Sequence, residues 1–452
     1  MGISRRNFIK MAAIGSAGLA VDCAGRGLTA GSMGRILGAN ERVRVGIVGF
    51  SDRAKSSLIP PLARYARELN FEIVAVSDLW SRRREEGVAF IKELTGQAVA
   101  AARNNDELFE NVRPDAVIIS SSDFQHALHT VAAVKAGCDV YVEKPFAETM
   151  EDNRAALKAV QESGRIVQVG SQRRSGSNYI AANDYIKSGK FGPITMVEMS
   201  WNVNQPGRWR RPDLVATLQE TETDWKRYLL NRPYEPWNPR KYLEYRLFWP
   251  YSSGIPGQWM CHQIDTVHWF TDLPHPRSVA ANGGIYVWKD GRENADTLTA
   301  VFDYGPLDDP KTGFQVVYSS RMHNSAGGVK EYYFSNGGKL DLDKNIVTPE
   351  GGLPQNAASA MGMKANLLEE FKLPTESVET AANTGSDPMT ANHMRNWMEC
   401  VRSRKTPHAD VLAGYHHSIA CIMTTAAFRT GQRAIFDEKA QEVMAGGKAF
   451  QY

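Results

Sequence analysis

The sequence predicts an α/β chain in two parts. The first is a parallel sheet covered by helices on both faces. The second is an α/β unit built on an open, mainly antiparallel sheet. Two observations carry this. Between residues 41 and 171, short β-branched runs alternate with helical stretches, the pattern of strands buried on both faces. After residue 190 the apolar runs lengthen and alternate with polar residues, as in strands with one face buried. The chain has 452 residues, 42% hydrophobic and 23% charged, enough for two or three domains. It has no run of about 18 apolar residues, so no membrane span is expected.

Residues 1–40 are set apart. Ser4-Arg5-Arg6-Asn7-Phe8-Ile9-Lys10 precedes a short apolar stretch, and "SRRNFIK" resembles a twin-arginine export signal. The implied location is periplasmic. Arg5, Arg6, Lys10, Arg26 and Arg35 face only Asp22 in this segment, so the net charge of +3 belongs to the leader. The remainder is close to neutral, which argues against nucleic acid as a partner. Cys138, Cys261, Cys400 and Cys421 are scattered without a C-x-x-C pair, so they read as buried thiols.

The elements follow in order. Arg44–Val48, Glu72–Ser77, Ala116–Ser120, Asp139–Val142 and Ile166–Val169 read as strands of residues 41–171. Ala54–Leu69, His126–Ala136 and Asp152–Ser163 read as helices between them, with Pro60-Pro61 marking an irregular first one. In residues 172–435, strands are expected over Ile194–Val203, Ser278–Trp288, Thr297–Tyr304, Phe314–Ser319 and Glu331–Phe334. Ser335-Asn336-Gly337-Gly338 is a hairpin signal, residues 346–386 read as a surface excursion, and helices are expected over Pro388–Arg402 and Asp410–Thr430. Residues 436–452 read as a C-terminal tail.

The loop "VGIVGFSDRA" follows the first strand. A dinucleotide fingerprint, G-x-G-x-x-G, stands here as Gly49, Ser51 and Ala54. Gly49 can make the tight turn, Ser51 adds a hydroxyl donor, and Ala54 is small enough for helix–strand packing. Asp52 would repel a phosphate, and Arg53 is the nearest group to offset it. Alone, the loop fits a phosphate cradle at a helix N-terminus or a plain strand–turn–helix. Asp78 ends the second strand, where a carboxylate can accept hydrogen bonds from a ribose. The neighbouring Arg82, Arg83 and Arg84 leave room for a 2′-phosphate, so NAD is favoured over NADP only modestly.

Two further segments, "SSDFQHALH" at 121–129 and "AGCDVYVEKPFA" at 136–147, resemble the Gfo/Idh/MocA oxidoreductases. The resemblance extends over nearly all of the chain after the leader. It implies a Rossmann-like NAD(P)-binding domain over residues 41–171 and a substrate and oligomerisation domain over residues 172–435. It implies dinucleotide contacts at Ser120, Ser121, Ser122, His126, Glu143 and Gln172, beside Gly49, Ser51, Asp52, Arg53 and Asp78. Lys144 would stand where nicotinamide and substrate meet, donating to the reacting hydroxyl. In "QWMCHQID", His262 and Asp265 match the family's second catalytic segment, whereas Gln258 replaces a frequent aspartate. Gln258 can hydrogen-bond but cannot hold a charge, so His262 as base needs other neighbours. His262 and His268 lie six apart, about 120° apart on a helix, which argues against a metal site. Seven of the ten tryptophans fall between Trp201 and Trp269, interleaved with arginines. Trp201, Trp259 and Arg173 are candidates for a carbohydrate surface, with aromatic packing as the alternative for each.

The expected activity is hydride transfer between NAD(P) and a sugar, polyol or glycoside carbon. In an exported protein the cofactor would be tightly held and recycled in place. Two alternatives remain at this stage. One is a redox-neutral glycosidase or lyase working through a transient keto-sugar. The other is a sugar-binding protein on the same fold, which the degenerate loop and Gln258 favour and Lys144 and His262 oppose. A homo-oligomer, dimer or tetramer, is expected.

Overall fold

A computed structural model describes residues 41–207, 209–306, 312–375 and 388–451. The leader lies outside the described residues.

Six strands form an all-parallel sheet: β1 (Val43–Val48), β2 (Phe71–Ser77), β3 (Ala100–Ala102), β4 (Ala116–Ile119), β5 (Asp139–Val142) and β6 (Val167–Val169). Their order is β3-β2-β1-β4-β5-β6. The order reverses between β1 and β4, and the crevice at the carboxyl ends of such strands is where ligands bind in doubly wound folds. The two central strands are apolar on both faces because helices cover both. β3, only three residues of alanine, carried no hydrophobic signal and was not foreseen.

The helix after β1 is shorter than the sequence suggested. A wide turn over Ala54–Leu58 leads into a helix over Ile59–Ala63, and turns continue to Asn70. Pro60 and Pro61 lack the N–H groups an α-helix needs there, so the preceding turn widens.

Eleven strands form the second sheet, in the order β14-β13-β12-β11-β7-β10-β9-β8-β15-β16-β17. Its centre comprises β7 (Met196–Asn202), β8 (Ser278–Gly284), β9 (Thr297–Tyr304), β10 (Phe314–Arg321) and β11 (Val329–Ser335). β12 (Gly338–Asp341), β13 (Ile346–Thr348) and β14 (Phe371–Lys372) extend one edge. The hairpin is present, with Ser335 opposite Gly338. β15 (Ala434–Asp437), β16 (Glu442–Ala445) and β17 (Lys448–Ala449) extend the other edge, so residues set apart as a tail are sheet strands. The sheet is antiparallel except where β7 and β10 pair in parallel. The excursion after residue 346 holds strands and a short helix, Gln355–Ala360; its residues 376–387 lie outside the described residues.

Two helices bind the halves together. Pro388–Ser403 returns to the first sheet, and its Met394, Trp397, Met398 and Val401 share a core with Val43, Val45 and Ile47. Val411–Thr430 is buried almost all round, capped by the Asp410 carboxylate on the Leu412 and Ala413 N–H groups. Gly414 on this helix meets Phe146 and Val169 so closely that a Cβ would lie 2.8 Å from both side chains.

Candidate active site

A cavity of about 840 Å³ is lined by residues of both halves. Its first wall is the carboxyl edge of the parallel sheet. Gly49 turns the chain at φ +81°, and a Cβ there would lie 3.0 Å from the Ser121 backbone, so glycine is required. The Ser51 hydroxyl meets that of Ser120 at 2.5 Å. Asp78 accepts from the Phe50 and Trp80 N–H groups at 2.8 and 2.9 Å, which fixes its carboxylate on the cavity wall.

The expected interplay of Asp52 and Arg53 is resolved differently. Asp52 pairs with Arg83 at 2.7 Å and with Arg211 at 3.2 Å. Arg53 instead pairs with Glu143 at 3.1 Å. Neither charge is left free beside a phosphate. Glu143 is a hub, also accepting from Gln172 Nε2 at 3.1 Å and Tyr141 Oη at 3.3 Å. Burial alone would raise its carboxyl, but Arg53 and Lys144 outweigh burial and hold it below its ordinary value.

Ser122 caps the turn into the helix His126–Lys135 in a reciprocal box with Gln125, and its hydroxyl meets Tyr228 at 2.9 Å. The helix's first residue, His126, contacts the Pro145 carbonyl through Nδ1 at 2.7 Å, tying it to the Lys144–Pro145 segment, whose peptide bond is cis. The Ser121 hydroxyl is buried on the lining with no hydrogen-bond partner among the described residues. An orphaned donor beside a loop that admits only glycine fits a dinucleotide's phosphates. Asp78 fits its ribose.

The second wall is aromatic and cationic. Trp201 and Trp259 stack with interplanar angle 2°, and His262 stacks on Trp201 at 5.8 Å. Arg173 pairs with buried Glu331 and lies over the Trp201 ring. Among the described residues His262 has no hydrogen-bond partner. Burial, then the charges of Lys144 and Arg173, hold its imidazole well below the ordinary value. It is therefore neutral at physiological pH, with a lone pair on one ring nitrogen. Lys144 Nζ donates to the Gln258 main-chain oxygen at 2.8 Å. Burial lowers its ammonium, opposed by Cys261, Glu143 and Asp123.

Two expected catalytic side chains behave otherwise. Asp265 is not on the lining; Arg174 holds both its oxygens, at 2.8 and 2.9 Å. Gln258 is on the lining, but its amide is spent on Arg246 and Asp123 rather than on His262. His268 turns to Tyr304 at 2.8 Å. Among the described residues no three metal-ligating side chains cluster. Trp225 packs against Tyr228 and Trp237, so aromatic packing accounts for it.

Sequence reasoning passed over Asp123 and Arg246. Asp123 lay inside a quoted motif, and its aspartate next to Ser122 was the available signal. Arg246 sits among several arginines of one aromatic stretch, and nothing in the pattern singles it out.

Residues 43–171 match the family model described as an oxidoreductase family with an NAD-binding Rossmann fold. Inositol 2-dehydrogenase of Salmonella typhimurium is 32% identical over 168 residues, covering 36% of this chain and 48% of that protein. 1,5-Anhydro-D-fructose reductase of Ensifer adhaerens is 28% identical over 198 residues, covering 42% and 56%. The alignments thus span about half the length of these curated relatives. Among solved structures, the WlbA dehydrogenase from Bordetella pertussis, in complex with NADH and UDP-GlcNAcA, superposes with TM-score 0.60. It is 16% identical and covers 88% of this chain and 99% of that one. At that identity the likeness concerns the fold.

Proposed function

We propose, because residues 43–171 match the model of the Gfo/Idh/MocA oxidoreductases, that the whole protein transfers a hydride between NAD(P) and a hydroxyl-bearing carbon of a sugar, polyol or glycoside. The observation that carries this is one cavity lined by Lys144, by a neutral His262 with no hydrogen-bond partner among the described residues, and by Gly49 and Asp78. The first wall would hold the dinucleotide: Gly49, Ser51, Ser120, Ser121 and Ser122 at the phosphates, Asp78 at the ribose, and Glu143 and Gln172 toward the nicotinamide. The dinucleotide, when bound, accepts or returns the hydride.

The chain's own residues handle the proton. Lys144, steadied by the Gln258 carbonyl, donates to the substrate oxygen and offsets the charge that develops there. His262 takes the hydroxyl proton. The same cations that keep His262 neutral disfavour its charged form, so it releases the proton to water in the cavity it lines. Asp265, locked to Arg174, acts as a positioning residue on the helix Cys261–Thr271 that carries His262.

Residues 1–40 would direct export by the twin-arginine route to the periplasm, with the cofactor loaded before export. A dimer or tetramer would form through the large sheet, whose outward residues Glu198, Thr299 and Gln315 are exposed. Mass measurement by light scattering tests the assembly, and a leader–reporter fusion tests the export.

Mass spectrometry of nucleotide released from protein purified without added cofactor tests the function. Stoichiometric NAD(H) or NADP(H), with ketone formed from a sugar or glycoside panel, is the expected result. Release of aglycone without net oxidation would indicate redox-neutral cleavage. A protein that neither carries nor takes up dinucleotide overturns the reading in favour of sugar binding alone.

A further inference from the structure

Gln258 carries two cations at once. Its main-chain oxygen accepts from Lys144 Nζ, and its side-chain oxygen accepts from Arg246 Nε, both at 2.8 Å. Its amide nitrogen donates onward to the buried carboxylate of Asp123. That last bond fixes the amide's orientation, with oxygen toward Arg246 and nitrogen toward Asp123. A carboxylate at position 258 would neutralise Arg246 but would face Asp123 with like charge. Glutamine joins the two without neutralising the arginine.

The other arginines lining the cavity, among the described residues, each meet a carboxylate. Arg53 has Glu143; Arg83 and Arg211 have Asp52; Arg173 has Glu331; Arg227 has Asp106. Arg246 has the neutral Gln258 oxygen and the face of Tyr245, 4.6 Å away. Its Nη atoms meet no hydrogen-bond partner among the described residues. A guanidinium does not shed its proton, so a half-buried one calls for an anion. Asp123 lies one amide beyond, and its Oδ2 is already shared between Gln258 and Ser252. Asp123 thus faces both Lys144 and Arg246, and the other carboxylates that act on them, Glu143 on Lys144 and Asp52 on Arg246, are already paired with Arg53, Arg83 and Arg211.

We propose that the substrate carries a carboxylate, as a uronic or other sugar acid does, and that this group binds the free Nη edge of Arg246 while Lys144 holds the hydroxyl to be oxidised. The inference rests on the oxidoreductase reading above and names its substrate class. The fork can pair two oxygens of either a carboxylate or a phosphate, but with Lys144 engaged elsewhere a single guanidinium balances the one charge of a carboxylate and not the roughly two of a phosphate.

The test is binding to the NADH-loaded protein, followed by tryptophan fluorescence. The probes are matched hexose and uronate pairs of gluco, galacto and manno configuration, with glucose 6-phosphate beside them. In at least one pair the uronate should bind about tenfold or more tighter than the hexose. Arg246→Gln should erase that preference and Arg246→Lys should keep part of it, with NADH affinity retained in both as the check on folding. Equal affinities in every pair, no uronate binding, a preference that survives in Arg246→Gln, or tighter binding of the phosphate would each overturn the proposal. Failure of the wild type to bind NADH is a different result, because it removes the oxidoreductase reading itself.

Discussion

The two walls of the cavity are finished to different degrees. On the dinucleotide wall each charge among the candidate residues is already answered within the protein: Asp52 by Arg83 and Arg211, Arg53 by Glu143, and Asp78 by two backbone N–H groups. On the substrate wall His262 has no hydrogen bond among the described residues, and Lys144 and Arg246 rest on the oxygens of one neutral glutamine. A wall whose charges are already balanced, with a buried hydroxyl such as Ser121 Oγ left to bind, suits a ligand that stays. A wall with unanswered groups suits one that comes and goes, because exchange with water costs those groups little.

The sharpest way to break this contrast is at Lys144. Lys144→Ala should lower kcat about 10²- to 10⁴-fold, with dinucleotide affinity, measured by NADH fluorescence titration, nearly unchanged. A parallel loss of affinity would show that Lys144 belongs to the first wall. Next comes the support behind the first wall. Trp397 is fully buried against the parallel sheet, and Trp397→Ala should destabilise the protein by about 3–5 kcal/mol in urea unfolding.

Gly49→Ala addresses the loop itself. Its Cβ would press on the Ser121 backbone at positive φ, a strain of about 1–3 kcal/mol. Calorimetric titration should show NADH bound about tenfold or more weakly, while hexose or uronate binding at the second wall changes less.

The smallest effect concerns acid. His393 lies behind the first wall, bonded to the Val169 carbonyl and the Ser175 hydroxyl. Burial is the main cause lowering its imidazole from 6.5 to about 4. The unfolded chain then binds this proton more readily than the folded one. The stability contribution is intact above pH 6.5 and is lost as pH falls toward 4, at about 1.4 kcal/mol per pH unit. Comparing urea midpoints at pH 7 and pH 5, His393→Gln should lose less stability than the wild type.

What could be read beforehand follows the same division. The first wall is written in contiguous segments at the ends of apolar strands, so Gly49, Asp78 and Glu143 were visible as a set, with Lys144 next in sequence reaching across to the second wall. The second wall is assembled from Trp201, Arg246, Gln258 and His262, which the chain brings together only by folding. Composition marked that region as aromatic without separating lining tryptophans such as Trp201 from packing ones such as Trp225. The reach of Asp123 to Gln258 spans two distant segments, and hydrophobic periodicity carries no information about a polar bond of that kind. β3 was missed because alanine runs carry little strand signal.

The return of Pro388–Ser403 to the first sheet also bears on how the molecule is made. β1 is synthesised early, yet the core it shares with Met394 and Trp397 is completed by residues translated near the end. A nascent chain that has released only its first half carries an open apolar seat over Val43, Val45 and Ile47. That seat stays available to chaperones until the last helices leave the ribosome. A fragment cut at residue 171 would keep it open permanently.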